Sequence, residues 1–233
     1  MSQRAYFITG TDTGVGKTLV GAALLHAANA QGWSTIGLKP VAAGGTHHDG
    51  VFMNEDACLL QATASIELDY AAVNPAALAD AIAPHIAAER DGRTLNAAEL
   101  ATHCRHQLAT SGAEFAVAEG AGGWLVPLDA RTTMADLATS LGWPVILVVA
   151  MRLGCLNHAL LTARAIEAAG LALAGWVANV TGEQMAAEAA NLATLDNWLP
   201  APRLGCIRQL GPDPQPADAA GYLDLSLLPE LAG

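Results

Sequence analysis

The segment Gly10-Thr11-Asp12-Thr13-Gly14-Val15-Gly16-Lys17-Thr18 carries the residue types that a polyphosphate needs. Gly10, Gly14 and Gly16 let the backbone turn and bring its N–H groups close to phosphate oxygens. Lys17 supplies a point charge, and Thr18 offers a hydroxyl to Mg2+. The usual spacing is G-x-x-x-x-G-K-[ST]; here five residues separate Gly10 from Gly16, one more than that pattern holds. The chain has only two lysines, and the second, Lys39, stands in Gly37-Leu38-Lys39-Pro40. All nine other basic residues are arginines. The compact, strongly hydrated ammonium is therefore confined to two places, one of them the phosphate loop.

A Mg2+ ion on a triphosphate takes carboxylate oxygens besides a threonine hydroxyl. Glu119 is followed by Gly120-Ala121-Gly122-Gly123, which admits a ligand closely. Asp56 lies one turn into a helix that Asn54 can cap, so it reads either as a metal carboxylate or as a helix-start acid facing the dipole. Lys39 reads either as a cation bridging a transferred phosphate and an anionic acceptor or as a surface lysine at a strand end. His47-His48 and His103-x-x-His106 lack a third metal ligand. Cys58, Cys104, Cys155 and Cys206 form no C-x-x-C pair and read as free thiols. No G-x-S-x-G elbow is present.

Apolar runs place strands at Ala5–Thr9, Ser34–Leu38, Glu114–Glu119, Pro144–Val149, Gly175–Asn179 and Leu204–Ile207. Helical spacing covers Thr18–Ala30, Asn54 to Leu60, Ala97–Leu108, Leu156–Ala169 and Gly182–Trp198, with a loop at Ala43–Gly50 and a loop-rich stretch over residues 66–95. Apolar strands alternating with helices predict an α/β fold, one domain over 1–233, with a mostly parallel sheet covered on both faces. Ligands in such folds gather beyond the carboxyl ends of the strands. Lys39, Glu119 and Asn179 each close an expected strand, and the glycine loop follows the first, so four segments point to one rim.

The formal net charge of −11 argues against a nucleic-acid or anionic-membrane surface, while leaving room for a local cationic pocket. No N-terminal stretch reads as a signal peptide and no apolar run reaches membrane-spanning length, which predicts a cytoplasmic protein.

Taken in order, the motifs resemble the dethiobiotin synthetase family of P-loop proteins. The lengthened loop Gly10–Thr18, Lys39–Ala42, Asp56, Pro84-His85, Glu119–Trp124, Gly154–His158, Gly175–Asn179 and Pro200–Gly205 carry the likeness, and the Glu119 and Gly154 blocks are absent from P-loop proteins in general. The resemblance implies a homodimer with about seven parallel strands per subunit. It implies ATP bound by Gly14, Val15, Gly16, Lys17, Thr18 and Leu19 with Asp56, Glu119, Gly120, Ala121 and Gly122, and adenine bordered by Asn179, Arg208, Gln209 and Leu210. Thr18, Asp56 and Glu119 would serve Mg2+, and Lys17 and Lys39 would be catalytic. The substrates implied are 7,8-diaminononanoate and CO2 or bicarbonate. The diamine would meet Lys39, Ala43 and the stretch Gly154, Cys155, Leu156 and Asn157 near the partner subunit. On its own spacing Asn157 could equally be the cap of the helix that follows.

Three positions depart from the family's pattern. Gly14 stands where Glu is frequent, Ala43 where Ser is common, and Gln215 where an acid often lies near the ribose. Other readings remain: a partition-type ATPase of the same fold, another ATP-dependent ligase, or a nucleotide-binding module without catalysis. The first usually carries a signature lysine early in the loop, where this chain has Thr11-Asp12-Thr13.

Overall fold

The computed structural model describes residues 3–182 and 185–229. The chain opens with β1 (Arg4–Gly10), α1 (Lys17–Ala30), β2 (Thr35–Leu38), β3 (Val41–Ala43), β4 (Thr46–His48), β5 (Val51–Met53) and α2 (Glu55–Thr63). The middle holds α3 (Tyr70–Val73), β6 (Ala76–Leu78), α4 (Pro84–Arg90), α5 (Ala97–Ser111), β7 (Phe115–Gly123) and α6 (Met134–Leu141). It continues with β8 (Val145–Ala150), α7 (Cys155–Ala168), β9 (Leu173–Asn179), α8 (Glu188–Trp198), β10 (Arg203–Ile207) and α9 (Pro216–Ala220).

The central sheet has the order β10-β9-β8-β1-β7-β2 and every pair in it is parallel. Its six strands are those expected from the apolar runs, one short of the seven implied by the family resemblance. The remaining strands form two small pairs, β3 with β6 and β4 with β5. Alternation along β1 explains the layering. Ala5 and Phe7 belong to the core beneath α5, α6 and α7, whereas Tyr6 and Ile8 belong to the core beneath α1. Strands buried on both faces read as continuous apolar runs, as β1 and β8 do.

The chain enters β1 between β8 and β7, so crossovers leave in opposite directions on either side of it. That switch point opens a crevice at the carboxyl ends of the strands. Two registers fix what lines it. Ile8 pairs with Glu119 and Leu38 pairs with Ala118, which sets Lys39, the next residue, beside Glu119.

Several local expectations are corrected. The stretch 43–50 is no simple loop: Thr46–His48 pairs with Val51–Met53 around a turn at Asp49 and Gly50, both at positive φ. Strand β7 runs on to Gly123, so Glu119 lies inside it rather than at its end. Helix α6 was not legible as a separate element; Thr133 and Asp136 bond reciprocally at its start and Gly142 ends it. Helix α8 begins at Glu188 rather than Gly182; residues 183–184, within the expected helix, lie outside the described ones. Helix α7 starts at Cys155 behind Gly154 at φ 96°, so Asn157 lies within its first turn and is not its cap.

Asn54 does cap α2, its Oδ1 accepting from the Ala57 N–H at 3.2 Å. This helix leans on β2 through Gly37, where a methyl group would meet Leu25 Cδ1 at 2.8 Å and Leu60 carbonyl oxygen at 3.0 Å. Gly37→Ala should therefore destabilise the fold by about 1–3 kcal/mol through overpacking. A lowered urea midpoint with an unchanged slope checks this; an unmoved midpoint would show that α1 and α2 give way freely.

Candidate nucleotide and phosphoryl-transfer site

The loop between β1 and α1 delivers Lys17, which is the first residue of the helix and almost wholly buried. Its Nζ donates to the Asp12 carbonyl at 3.2 Å, folding the side chain back over its own loop. Gly16 precedes it at φ 88°, a left-handed conformation that favours glycine. A Cβ there would stand 2.1 Å from Asn179 Nδ2. That nitrogen donates to the Val15 carbonyl at 2.9 Å, so the last residue of β9 pins the phosphate loop from behind.

Three further segments bring charge to the same place. Lys39 leaves the end of β2 and is only 3% exposed. Its Nζ lies 2.5 Å from Glu119 Oε1, 2.9 Å from Asp56 Oδ2 and 3.5 Å from the Gly120 carbonyl. Thr18 Oγ1 donates to Glu119 Oε1 at 3.0 Å. Glu119 is 1% exposed and its other oxygen, Oε2, has no hydrogen-bond partner. Burial would lower the pKa of Lys39, but Glu119 and Asp56 outweigh it and hold the ammonium above its ordinary value. For Lys17 burial wins over the attraction of Glu119, and its pKa is lowered. Burial would raise Asp56, yet Lys39 beside it holds the carboxyl below its usual range.

Two connected clefts open from this cluster and share Gly16. One, of about 780 Å³, is lined among others by Lys17, Thr18, Lys39, Ala43, Asp56 and Glu119. It takes in Gly14, Ala121 and Gly122 from the expected set, and Ala81–Pro84, Val126 and Pro127 from outside it. The other, of about 710 Å³, is bordered by Leu19, Asn179, Val180 and the run Ile207–Gly211, which contains Arg208, Gln209 and Leu210. Arg208 is tied by an ion pair to Glu188, a buried acid at the start of α8. Nothing in the sequence marked Glu188, because a first-turn acid is ordinary there.

Gly154, Cys155, Leu156 and Asn157 line neither cleft of their own chain. Gln215 starts α9 with its N–H donating to Asp218 and lines neither cleft. Ala43 does line the first cleft, and Gly14 stands at φ 72°. His103 is engaged with the Ala72 carbonyl and His48 with Thr46. Among the described residues no three His, Cys, Asp or Glu side chains cluster as metal ligands. The available donor set is thus two carboxylates and a hydroxyl, the hard-oxygen composition that Mg2+ takes beside phosphates. The unpartnered Glu119 Oε2 fits such a cation.

A family model described as an AAA domain matches residues 4–212. Curated relatives named ATP-dependent dethiobiotin synthetase match nearly end to end. The one from Cellvibrio japonicus is 52% identical over 229 residues, 98% of this chain and 99% of the relative. That of Pseudomonas aeruginosa is 51% identical over 221 residues, covering 95% and 96%. That of Escherichia coli O157:H7 is 45% identical over 228 residues, covering 98% and 100%. Among solved structures, the septum site-determining protein MinD from Pyrococcus horikoshii, complexed with Mg-ADP, has a TM-score of 0.56 at 17% identity, covering 89% of this chain and 81% of that one. Chloroplast FtsY from Physcomitrella patens has a TM-score of 0.58 at 13% identity, covering 94% of this chain and 61% of that one. At such identities the two structures share the fold alone.

Gly16→Ala should cripple nucleotide binding, since the added methyl is both strained at positive φ and set against Asn179. A calorimetric titration should show ATP affinity weakened by on the order of tenfold or more, the equivalent of about 1.4 kcal/mol. Wild-type affinity in that variant would mean the loop is not the phosphate cradle.

Proposed function

The chain belongs to the ATP-dependent dethiobiotin synthetase family, and we propose that Lys39 and Lys17, with the acids around them, carry out that family's reaction here. The protein is an ATP-dependent ligase of biotin biosynthesis. It joins CO2 to 7,8-diaminononanoate and closes the ring of dethiobiotin, with ATP cleaved to ADP and phosphate. The observation that carries the assignment of residues is the buried Lys39 ammonium held by Glu119 and Asp56 at the mouth of the phosphate loop.

One amine of the diamine takes up CO2 and loses a proton, giving a carbamate. A carbamate oxygen attacks the γ-phosphorus, the bond to ADP breaks, and a carbamic–phosphoric mixed anhydride forms. The second amine attacks the activated carbonyl carbon, phosphate leaves, a proton is lost, and the cyclic urea is complete. Carbamate and triphosphate are both anionic, so the barrier is mainly one of charge and alignment. Lys17, at the first turn of α1 and beside the loop's N–H groups, addresses the phosphates. Lys39 reaches the same cleft from the end of β2 and offsets charge on the carbamate and the transferred phosphoryl group. No side chain has to act as a covalent nucleophile. Thr18, Asp56 and Glu119 would hold Mg2+, which neutralises the triphosphate when bound. The second cleft accommodates the base, bordered by Asn179 and the stretch Arg208–Leu210.

We further infer one catalytic domain per chain, working in the cytoplasm as a homodimer. Among the described residues no helix is long and apolar enough to cross a membrane. Leu153, just before α7, and Leu161, within it, are 95% and 62% exposed, apolar side chains that association would cover. Gly154–Asn157 lie at the start of the same helix, off the chain's own clefts, which suits contact with a diamine held by the partner subunit.

Phosphate release in the presence of MgATP should depend on both the diamine and bicarbonate; release driven instead by DNA or lipid would favour a partition-type ATPase. Lys39→Ala should lower kcat by roughly 10²- to 10³-fold, the usual effect of removing one transition-state donor, with much less change in KM for ATP. Equal losses in both would remove Lys39 from the chemistry. Asp56→Asn should raise the Mg2+ concentration needed for nucleotide binding in calorimetry; an unchanged Mg2+ titration would leave Asp56 as a helix-start acid only.

A further inference from the structure

We propose that Tyr70 and Asn74 are positioning residues that set Lys39 against Asp56. The inference rests on the roles assigned to those two charged residues above. β2 is an edge strand and ends at Leu38, so the backbone of Lys39 has no sheet partner on its outer side. The short helix α3 supplies one. Lys39 N–H donates to the Val73 carbonyl at 2.9 Å, and Asn74 Nδ2 donates to the Lys39 carbonyl at 2.5 Å. Asn74 is 3% exposed, and its Oδ1 accepts from the Tyr70 hydroxyl at 2.9 Å. That hydroxyl in turn accepts the N–H of Asn54, the cap of α2, at 2.7 Å. Asp56 is two residues further on. One partly buried relay, Asn54–Tyr70–Asn74–Lys39, therefore joins the backbone that carries the carboxylate to the backbone that carries the ammonium.

The relay matters because the two charges are carried by separate elements, and Lys39 reaches its partner through a long, flexible side chain. An ion pair with one partner buried is favourable only when its geometry is tight, and phosphoryl transfer loses rate steeply when a charged group is displaced by about 1 Å. Asn54 adds a second strut, its Nδ2 donating to the Gly44 carbonyl at 2.9 Å, beyond the Ala43 wall of the cleft. Tyr70 and Asn74 themselves do not line the cleft, so they act through Lys39 and Asp56 rather than on substrate.

The test is Tyr70→Phe, which keeps the ring and removes only the hydroxyl, compared with His103→Ala, which releases the same short helix at the Ala72 carbonyl without touching the relay. With saturating diamine, bicarbonate and MgATP, Tyr70→Phe should lower kcat by on the order of tenfold while KM for ATP stays within about twofold. His103→Ala should lower the thermal midpoint and leave kcat unchanged. Asn74→Asp, which keeps the acceptor for Tyr70 but loses the donor to Lys39, should reproduce the kcat loss and serves if Tyr70→Phe does not fold. A crystal structure of the relay variant gives a readout independent of turnover: the Lys39–Asp56 contact of 2.9 Å should open beyond hydrogen-bonding range. An unchanged contact, unchanged kcat, or equal kcat losses in the relay and His103 variants would overturn the proposal. Wild-type protein that releases no phosphate with the diamine would instead refute the functional reading, and the crystallographic contact would still decide the relay.

Discussion

Everything in the cleft is arranged around the burial of an ammonium between two carboxylates. Lys39 is stripped of water at one wall of the site, and Glu119 and Asp56 replace that water. Taking Lys39 and Glu119 out of water costs several kcal/mol each, and pairing offsets this only where the partners, the half-exposed Asp56 among them, are close and correctly aimed. The elements that supply them are therefore constrained strongly. β2 must lie next to β7 in the register that sets Lys39 beside Glu119, and α2 must start where its first turn faces both. With Lys17, the cluster holds two cations and two anions, a balance that leaves it able to receive further negative charge without a large net field of its own. Overall the chain is strongly acidic. The attraction for a polyanionic substrate is accordingly local, built from two lysines, the loop's N–H groups and the start of α1.

The phosphate loop, one residue longer than usual, is braced by contacts of its own. The loop is not free-standing: Asn179 holds Val15 from one side, and Lys17 folds onto the Asp12 carbonyl from within. Asp12 also pairs with Arg152 at 2.6 Å, on the chain leading into α7. This pair is about half exposed, so its contribution to stability is small, but it ties the loop to the chain that leads into α7. The phosphate loop and both clefts thus meet at neighbouring strand ends of one sheet. Close relatives share this chain over nearly its whole length, which extends the likeness well beyond the motif blocks.

Much of this was legible in the sequence because chemistry and punctuation coincide there. Glycines, lysine and threonine at fixed spacing marked the loop, and apolar runs marked all six strands of the central sheet. The rarity of lysine singles out Lys39 in the sequence itself. What stayed hidden was set by tertiary contact. Tyr70 and Asn74 are four residues apart in a stretch read as loop, and only the edge position of β2 gives them a task. Glu119 was expected to close its strand, but β7 continues to Gly123 through an irregular stretch with Gly122 at positive φ, where Gly10 pairs with Gly123. Helix α6 is eight residues long and rests on capping at both ends, too short for periodicity alone to resolve. Asn157 has the right chemistry for a cap, yet Gly154 at positive φ takes the N-cap position and sets the helix start at Cys155.

Because the chain holds just two lysines, the buried cation can be observed directly. With lysine labelled at Cε by 13C, a pH titration of the free protein gives two signals. The account predicts that they separate: Lys39, held by Glu119 and Asp56, should stay charged beyond the ordinary lysine range, while Lys17, desolvated by burial, should lose its proton below it. Two signals titrating together near about 10.4, the value for a solvated lysine, would contradict the buried cluster on which the mechanism depends.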